Sequence, residues 1–346
     1  YGFRPKHSTI NAITELTSNI SLNLDNNQHT IAVLLDLSKA FDTINHITLL
    51  NKLKFYGVRG IALEWFKSYL SDRTQYVNYN ATKSAKQDIT CGVPQGSVLG
   101  PLLFIIYTND LPLSLRYSQC VLFADDTTIY NAANDLQTAI NNISHDLNEL
   151  TEWFKANKLS LNISKTHYMI FTKLTTNNIP MHTLNIGKDN IKRVEFTQFL
   201  GIQLDDKLNW QEQIKYIKNK LACGLYALNT AKKLLEREHR KKLYYTLINP
   251  HLNYGISLWG SANKSLLKQL HVSQNKAIRA ITHSEYNESV NNKYKQLDIL
   301  QLNDMYTLQL AKFMFQYSKN QLPKPLMELF TPNSDIHKHN LSQTAE

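Results

Sequence analysis

The chain has 346 residues, 42% of them hydrophobic, with 38 lysines and arginines against 28 aspartates and glutamates and a formal net charge of +10 at pH 7. That length suits two or three domains around a large core, and the charge suits a polyanionic partner. No apolar run approaches the roughly 20 residues that a membrane span needs, so no membrane partner is expected. Three widely spaced cysteines, Cys91, Cys120 and Cys223, form no Cys-x-x-Cys pair. They argue against a disulfide framework or zinc site and for a reduced, intracellular setting; the location expected is nucleus and cytoplasm.

Residues 1–29 are predicted helical, capped by Ser8 or Thr9, with Ile10, Ile13, Leu16, Ile20 and Leu24 at helical spacing. A strand over 30–36 follows, an apolar run ending in Asp36, of the kind that lies buried at the centre of a sheet. Helices are predicted over 49–55 and 61–70, broken by the glycines at 57 and 60. Residues 75–91 alternate, with Tyr76, Val77, Tyr79 and Ile89, and are consistent with a hairpin. Pro94-Gln95-Gly96 is a turn entering an apolar helix over 98–110. As an isolated tripeptide it means little beyond a turn, in which Gly96 removes side-chain bulk and the helix N-terminus favours phosphate. Gln95 can both donate and accept.

Phe123-Ala124-Asp125-Asp126 then sets two adjacent carboxylates between two apolar β-type runs, which predicts a hairpin with the acids in its turn. A long amphipathic helix is expected over 134–157, short strands within 166–204, and mostly helix from 210 to about 317. The stretch 331–346 is polar and expected to be disordered.

Alone, an Asp-Asp pair is a solvated turn. Three carboxylates brought together by neighbouring strands, Asp36, Asp125 and Asp126, instead make a hard-oxygen site suited to Mg²⁺. Two such ions clamp the attacking and leaving oxygens in nucleotidyl transfer.

The order and spacing of three segments resemble the palm of a reverse transcriptase: Leu34-Leu35-Asp36-Leu37-Ser38-Lys39-Ala40-Phe41-Asp42, Gly92-Val93-Pro94-Gln95-Gly96-Ser97, and Phe123-Ala124-Asp125-Asp126. The opening Gly2-Phe3-Arg4-Pro5-Lys6-His7-Ser8-Thr9 and the later Phe199-Leu200-Gly201 are similar to that family too. The resemblance is to the non-LTR, LINE-type enzymes of the Jockey- and I-like branch, strong over 1–205 and looser over 245–281. It implies an α+β, right-hand polymerase fold: partial fingers and a palm with an antiparallel sheet over 1–205, then a mostly helical thumb over 206–330. Because the chain opens inside a motif, it is expected to be a fragment of a longer polyprotein.

By resemblance, Asp36, Asp125 and the carbonyl of Leu37 hold two Mg²⁺ ions, with Mn²⁺ as substitute, and Asp126 supports the ion on the primer side. Phe41 is the bulky residue beneath the sugar that favours deoxynucleotides; as a core Phe it would simply pack, and the two roles are compatible. Gln95 and Gly96 flank the substrate, and Arg4 contacts template or triphosphate. Lys165 protonates the leaving pyrophosphate, a task that needs a lowered pKa, or is a plain surface lysine. Phe199, Leu200 and Gly201 form the primer grip. The partners implied are an RNA template, a DNA primer and dNTPs. His46 is expected to be structural.

Lys232, Lys233, Arg237, Arg240, Lys241 and Lys242 crowd one stretch near Tyr244 and Tyr245. Such a basic, aromatic-interleaved helix could track a phosphate backbone or be an ordinary solvated face. The alternative to RNA-directed DNA synthesis is a catalytically inactive, decayed or domesticated relic that still binds nucleic acid. RNA-templated RNA synthesis fits poorly with a bulky Phe41.

Overall fold

The computed structural model describes residues 1–174 and 183–331. The tail expected from 331 onward falls outside these residues except for Thr331. The chain divides into two compact units, Tyr1–Ala12 with Ser18–Glu195 and Ile13–Thr17 with Phe196–Glu346. This division and the sequence boundary near 205 differ over residues 196–205, which group with the helices that follow.

Helix α1 (Thr9–Asp25), of which residues 13–17 group with the second unit, begins at Ser8, whose hydroxyl accepts from the Asn11 N–H. The first unit continues with β1 (His29–Leu35), α2 (His46–Phe55) and α3 (Ile61–Leu70). Four two-residue strands, β2 (Thr74–Gln75), β3 (Asn78–Tyr79), β4 (Thr82–Lys83) and β5 (Gln87–Asp88), form one exposed hairpin. After α4 (Leu99–Thr108), β6 (Gln119–Phe123) and β7 (Asp126–Ala133) make a second hairpin. The unit closes with α5 (Leu136–Ala156), β8 (His167–Phe171), β9 (Leu184–Ile186) and β10 (Asp189–Arg193).

Six strands share one sheet in the order β6-β7-β1-β8-β10-β9. The expected antiparallel sheet is in fact mixed, because β10 runs parallel to β8. The chain goes from β8 to the outer edge as β9 and turns back as β10, so β10 regains the direction of β8. Strand β1 sits in the interior between β7 and β8. Ile31, Val33 and Leu35 alternate onto one buried face. They join a core with Leu49 and Leu53 of α2, Leu103, Phe104 and Tyr107 of α4, and Ile143, Leu147 and Leu150 of α5. On the other face, the Thr30 hydroxyl accepts from the Asn23 amide of α1. Helix α5 starts at Asp135, whose carboxylate accepts from the Thr138 N–H.

The second unit opens with the hairpin of β11 (Phe196–Phe199) and β12 (Ile202–Asp205). Its helices are α6 (Gln211–Ala231), α7 (Arg237–Leu247), α8 (Asn249–Asn253), α9 (Ile256–Trp259), α10 (Lys264–Thr282), α11 (Asn291–Leu297), α12 (Leu302–Ser318) and α13 (Lys324–Met327). Buried Asp205 launches α6 by accepting from the N–H groups of Lys207, Asn209 and Trp210. Ile214, Ile217, Leu221 and Leu228 are buried, as the helical spacing predicts, but Leu225 is only half-buried and Gly224 is covered instead. A Cβ on Gly224 would stand 2.8 Å from the Leu247 carbonyl, so only glycine allows this approach of α6 to the end of α7. Gln274, fully buried in α10, donates to the Tyr244 hydroxyl and the Leu300 carbonyl and accepts from the Leu302 N–H. No described helix is long and apolar enough to cross a membrane.

Candidate active site

The β1–β7 ladder ends in the pair Leu35 and Thr127, so Asp36 and Asp126 are the next residues on neighbouring strands. The β6–β7 ladder ends in Phe123 and Asp126, leaving Ala124 and Asp125 as a two-residue loop. Ala124 has φ +52° and Asp125 does not share that sign, the pattern of a type II′ turn, which suits the right-handed twist of the strands. The sequence order of three acids thus becomes one corner of the sheet. Asp36 is half-buried, whereas Asp125 and Asp126 are exposed.

Electrostatics at this corner are unfavourable without a counter-charge. The Asp126 carboxyl is pushed up to about 6, first by partial burial and then by the charges of Asp125 and Asp36. Solvent still reaches Asp126, so repulsion among the three acids is the firmer part of the explanation.

Two devices hold the corner in place. Gly2 is buried against the turn, and a Cβ there would lie 2.5 Å from the Ala124 nitrogen. At the root of the hairpin, Asp146 of α5 is fully buried and accepts from the N–H groups of Arg116, Tyr117 and Ser118, at 3.0, 3.0 and 2.7 Å. Burial pushes its pKa up, but the Ser118 side chain and these amides outweigh that and hold it below the ordinary value. Sequence reasoning missed both roles. An acid on an amphipathic helix carries no sign of a buried anchor, and Gly2 is read only as part of a motif.

The end of β1 is also fixed on its other side. The Asp36 carbonyl accepts from the Asn162 N–H at 2.8 Å, the Asp36 N–H donates to the Thr166 hydroxyl, and Leu37 bridges Leu161. Lys165 belongs to this same turn and is exposed.

Beyond Asp36, the chain pairs with the approach to α4. The Val93 N–H donates to the Phe41 carbonyl and the Gly92 N–H to the Ile44 carbonyl. Gly92 has φ +85°, and a Cβ there would meet the Asp42 carbonyl oxygen at 2.7 Å. The half-buried Phe41 ring stacks on buried Phe104, centroids 4.7 Å apart, which fixes its orientation. Exposed Gln95 donates from Nε2 to the Asp42 carboxylate at 2.8 Å. Gly96, at φ +75°, has nothing within 4 Å of where a Cβ would stand. His46 donates from Nε2 to the Gly92 carbonyl at 2.7 Å, a structural bond that ties α2 to this segment.

Arg4 is exposed, two residues beyond the Gly2 contact. In the second unit, Leu200 and Gly201 form the β11–β12 turn with positive φ at both positions. The Tyr254 hydroxyl donates to the Leu200 carbonyl at 2.5 Å, and Phe199 is core. The basic stretch is not one helix, because α6 ends at Ala231 and α7 begins at Arg237. Arg240 is a correction: it is buried, with Nη1 donating to the Lys232 carbonyl and contacting His283, so its guanidinium is spent inside the protein. Lys233, Arg237 and Lys242 are exposed, and Lys232 and Lys241 half-buried.

Among the described residues no three His, Cys, Asp or Glu side chains are gathered tightly enough to make a ready-made metal cage. The donor chemistry nevertheless fits a hard divalent cation. Asp36, Asp125 and Asp126 offer only oxygen, and their mutual repulsion is what a dication between them would relieve.

A model of the family described as reverse transcriptase (RNA-dependent DNA polymerase) matches residues 1–217. The chain is 31% identical over 304 residues to the probable RNA-directed DNA polymerase from transposon BS of Drosophila melanogaster, covering 83% of this chain and 32% of that protein. It is 26% identical to the RNA-directed DNA polymerase from mobile element jockey of the same organism, covering 97% of this chain and 37% of that protein. The chain thus spans about a third of the length of these curated relatives. Among solved structures, telomerase from Candida albicans in complex with a fragment of telomeric RNA aligns with TM-score 0.43 and 12% identity, over 85% of this chain and 55% of that one. On the family match and these identities, the chain belongs to the reverse transcriptase family, in its non-LTR, LINE-type branch.

Proposed function

We propose that this chain carries the polymerase centre of an RNA-directed DNA polymerase, which joins a dNTP to the 3′-OH of a DNA primer on an RNA template and releases pyrophosphate. The observation that carries this is the meeting of Asp36, Asp125 and Asp126 at one corner of the sheet, close enough for Asp126 to feel both other charges. The reverse transcriptase family uses divalent metal ions. Two Mg²⁺ ions, or Mn²⁺ in their place, held by Asp36, Asp125, Asp126 and the Leu37 carbonyl would lower the pKa of the 3′-OH and neutralise charge on the phosphates.

The chain's own residues do the rest. Phe41, braced by Phe104, closes the space beneath C2′ and so favours deoxynucleotides. Gln95, oriented by Asp42, and Gly96, with open space beside its backbone, line the approach of the nascent pair. Lys165 protonates the departing pyrophosphate from the turn bonded to Asp36. Arg4 takes template or triphosphate; the primer-grip role expected of Phe199 does not suit a side chain in the core, which leaves Leu200 and Gly201 for the primer.

The test is Mg²⁺-dependent extension of oligo(dT) on poly(rA), with Asp125→Asn as control. Extension by the wild type that falls to background in the variant is expected. Undiminished turnover in a folded Asp125→Asn protein would overturn the assignment.

A further inference from the structure

The 74–88 hairpin has no role in the chemistry above, yet it is built unlike a connection. All of its residues are exposed. A two-stranded ribbon with no covered face is marginal in water and gains little from apolar side chains. This one nonetheless carries Tyr76, Val77 and Tyr79, the last 74% exposed. The hairpin and the residue before it carry three cations, Arg73, Lys83 and Lys86, against one carboxylate, Asp88 at the root, with Asp72 just outside.

The cations are set over rings. Lys83 Nζ lies 5.3 Å from the Tyr76 centroid, and the Arg73 guanidinium 5.4 Å from that of Tyr69. Tyr69 is itself stacked on Trp65 of α3. The register also slips by one between the inner and outer strand pairs, so the returning arm has an extra residue that bends the ribbon. The root of the hairpin opens on a cavity of about 570 Å³, lined by Arg73, Gln75 and Asp88 together with Lys39, Asp42 and Gln95. The hairpin therefore rises from the rim of the pocket that Asp42, Pro94 and Gln95 also line.

We infer that this hairpin is a stacking platform for the single-stranded RNA template on its way to the polymerase centre, with Tyr76 and Tyr79 against bases and Arg73, Lys83 and Lys86 on phosphates. Exposed aromatic rings interleaved with cations, with the hairpin's one carboxylate, Asp88, kept at its root, are what single strands bind, because every base offers a face and every linkage a charge. A duplex cannot use the rings, since its bases are already stacked on one another. That the strand is the RNA template rests on the function proposed above; the surface chemistry does not.

The experiment is fluorescence anisotropy with fluorescein-labelled oligo(rU) and, separately, a blunt oligo(rA)·oligo(dT) duplex, without divalent cation or dNTP. A Tyr76→Ala/Tyr79→Ala variant should bind oligo(rU) about 10-fold or more weakly and the duplex as wild type does. A Tyr76→Phe/Tyr79→Phe variant, which keeps the rings, should retain the single-strand affinity. Lys83→Gln/Lys86→Gln should flatten the log–log salt dependence for oligo(rU) by about 1.4, at roughly 0.7 per phosphate contact. Wild-type affinity for oligo(rU) in the alanine variant, equal losses on both probes, or failure of the phenylalanine variant would each overturn the platform. Because no synthesis is measured, a chain that binds as expected but extends no primer would sink the polymerase assignment and leave the platform standing.

Discussion

Two hairpins of the first unit close with two-residue turns and otherwise share little. The β6–β7 hairpin has five consecutive ladder pairs, lies beside β1 in a six-stranded sheet, and buries Val121 and residues 127–131. The 74–88 hairpin has two short ladders out of register with each other and buries nothing. The first carries carboxylates and the second rings and cations. Holding like charges together needs a backbone that cannot relax, and a sheet interior provides it. Reading a flexible strand needs surface, which burial would remove. Rigidity and accessibility are thus assigned to separate ribbons.

That contrast can be broken most forcefully at the root of the covered hairpin. Asp146→Asn should cost about 3 kcal/mol, because three main-chain amides lose the ionic acceptor of a fully buried side chain and meet an NH₂ group. Since the folded pKa of Asp146 is depressed, its contribution is present above the ordinary carboxylate value and disappears as pH falls through the folded one. Wild type and variant should therefore converge in urea unfolding under strongly acidic conditions. Asp88→Asn on the exposed hairpin should stay within about 0.5 kcal/mol. Equal effects at the two positions would dissolve the distinction.

Next in size is the tip. Gly2→Ala should destabilise by about 1–3 kcal/mol by forcing a methyl group into the Ala124 backbone. It should depress primer extension more than oligo(rU) affinity, because the turn it displaces bears Asp125. An extension rate that tracks the wild type would show that the turn tolerates movement.

The smallest effect sharpens the electrostatic side. Asp126 holds its proton more tightly folded, at about 6, than the ordinary carboxyl does at 3.8. Its ionisation therefore lowers stability as pH rises from about 4 to about 6. Mg²⁺ favours the ionised form, so the rise in melting temperature on adding Mg²⁺ should be full at pH 7 to 8 and shrink below about pH 6. Asp126→Asn should flatten that dependence. A wild-type increment that ignores pH would place the cation elsewhere.

Much of this was legible from local pattern. The helix predicted over 61–70 is α3 residue for residue, the strand over 30–36 is β1 shifted by one, and the 75–91 alternation is the exposed hairpin. Each rests on periodicity or turn chemistry within a few residues. The parallel β8–β10 pair, the anchoring by Asp146, the contact of Gly2 with Ala124 and the burial of Arg240 were not legible, because each depends on a partner distant in the chain. Arg240 shows the mechanism plainly. A helix of clustered cations gives no sign of which one turns inward, and the one that does is taken by the Lys232 carbonyl.

The turn that clamps Asp36 has a further consequence. Asn162 and Thr166 bond the carbonyl and the amide of the same aspartate, and Lys165 stands between them in the chain. The proposed proton donor and the first carboxylate are two points on one backbone unit, so a drift of either carries the other along. The backbones that bear the start of the reaction and its last proton transfer are thus tied twice, once through main chain at Asn162 and once through the Thr166 hydroxyl, so Thr166 is the side chain whose loss would loosen the pair.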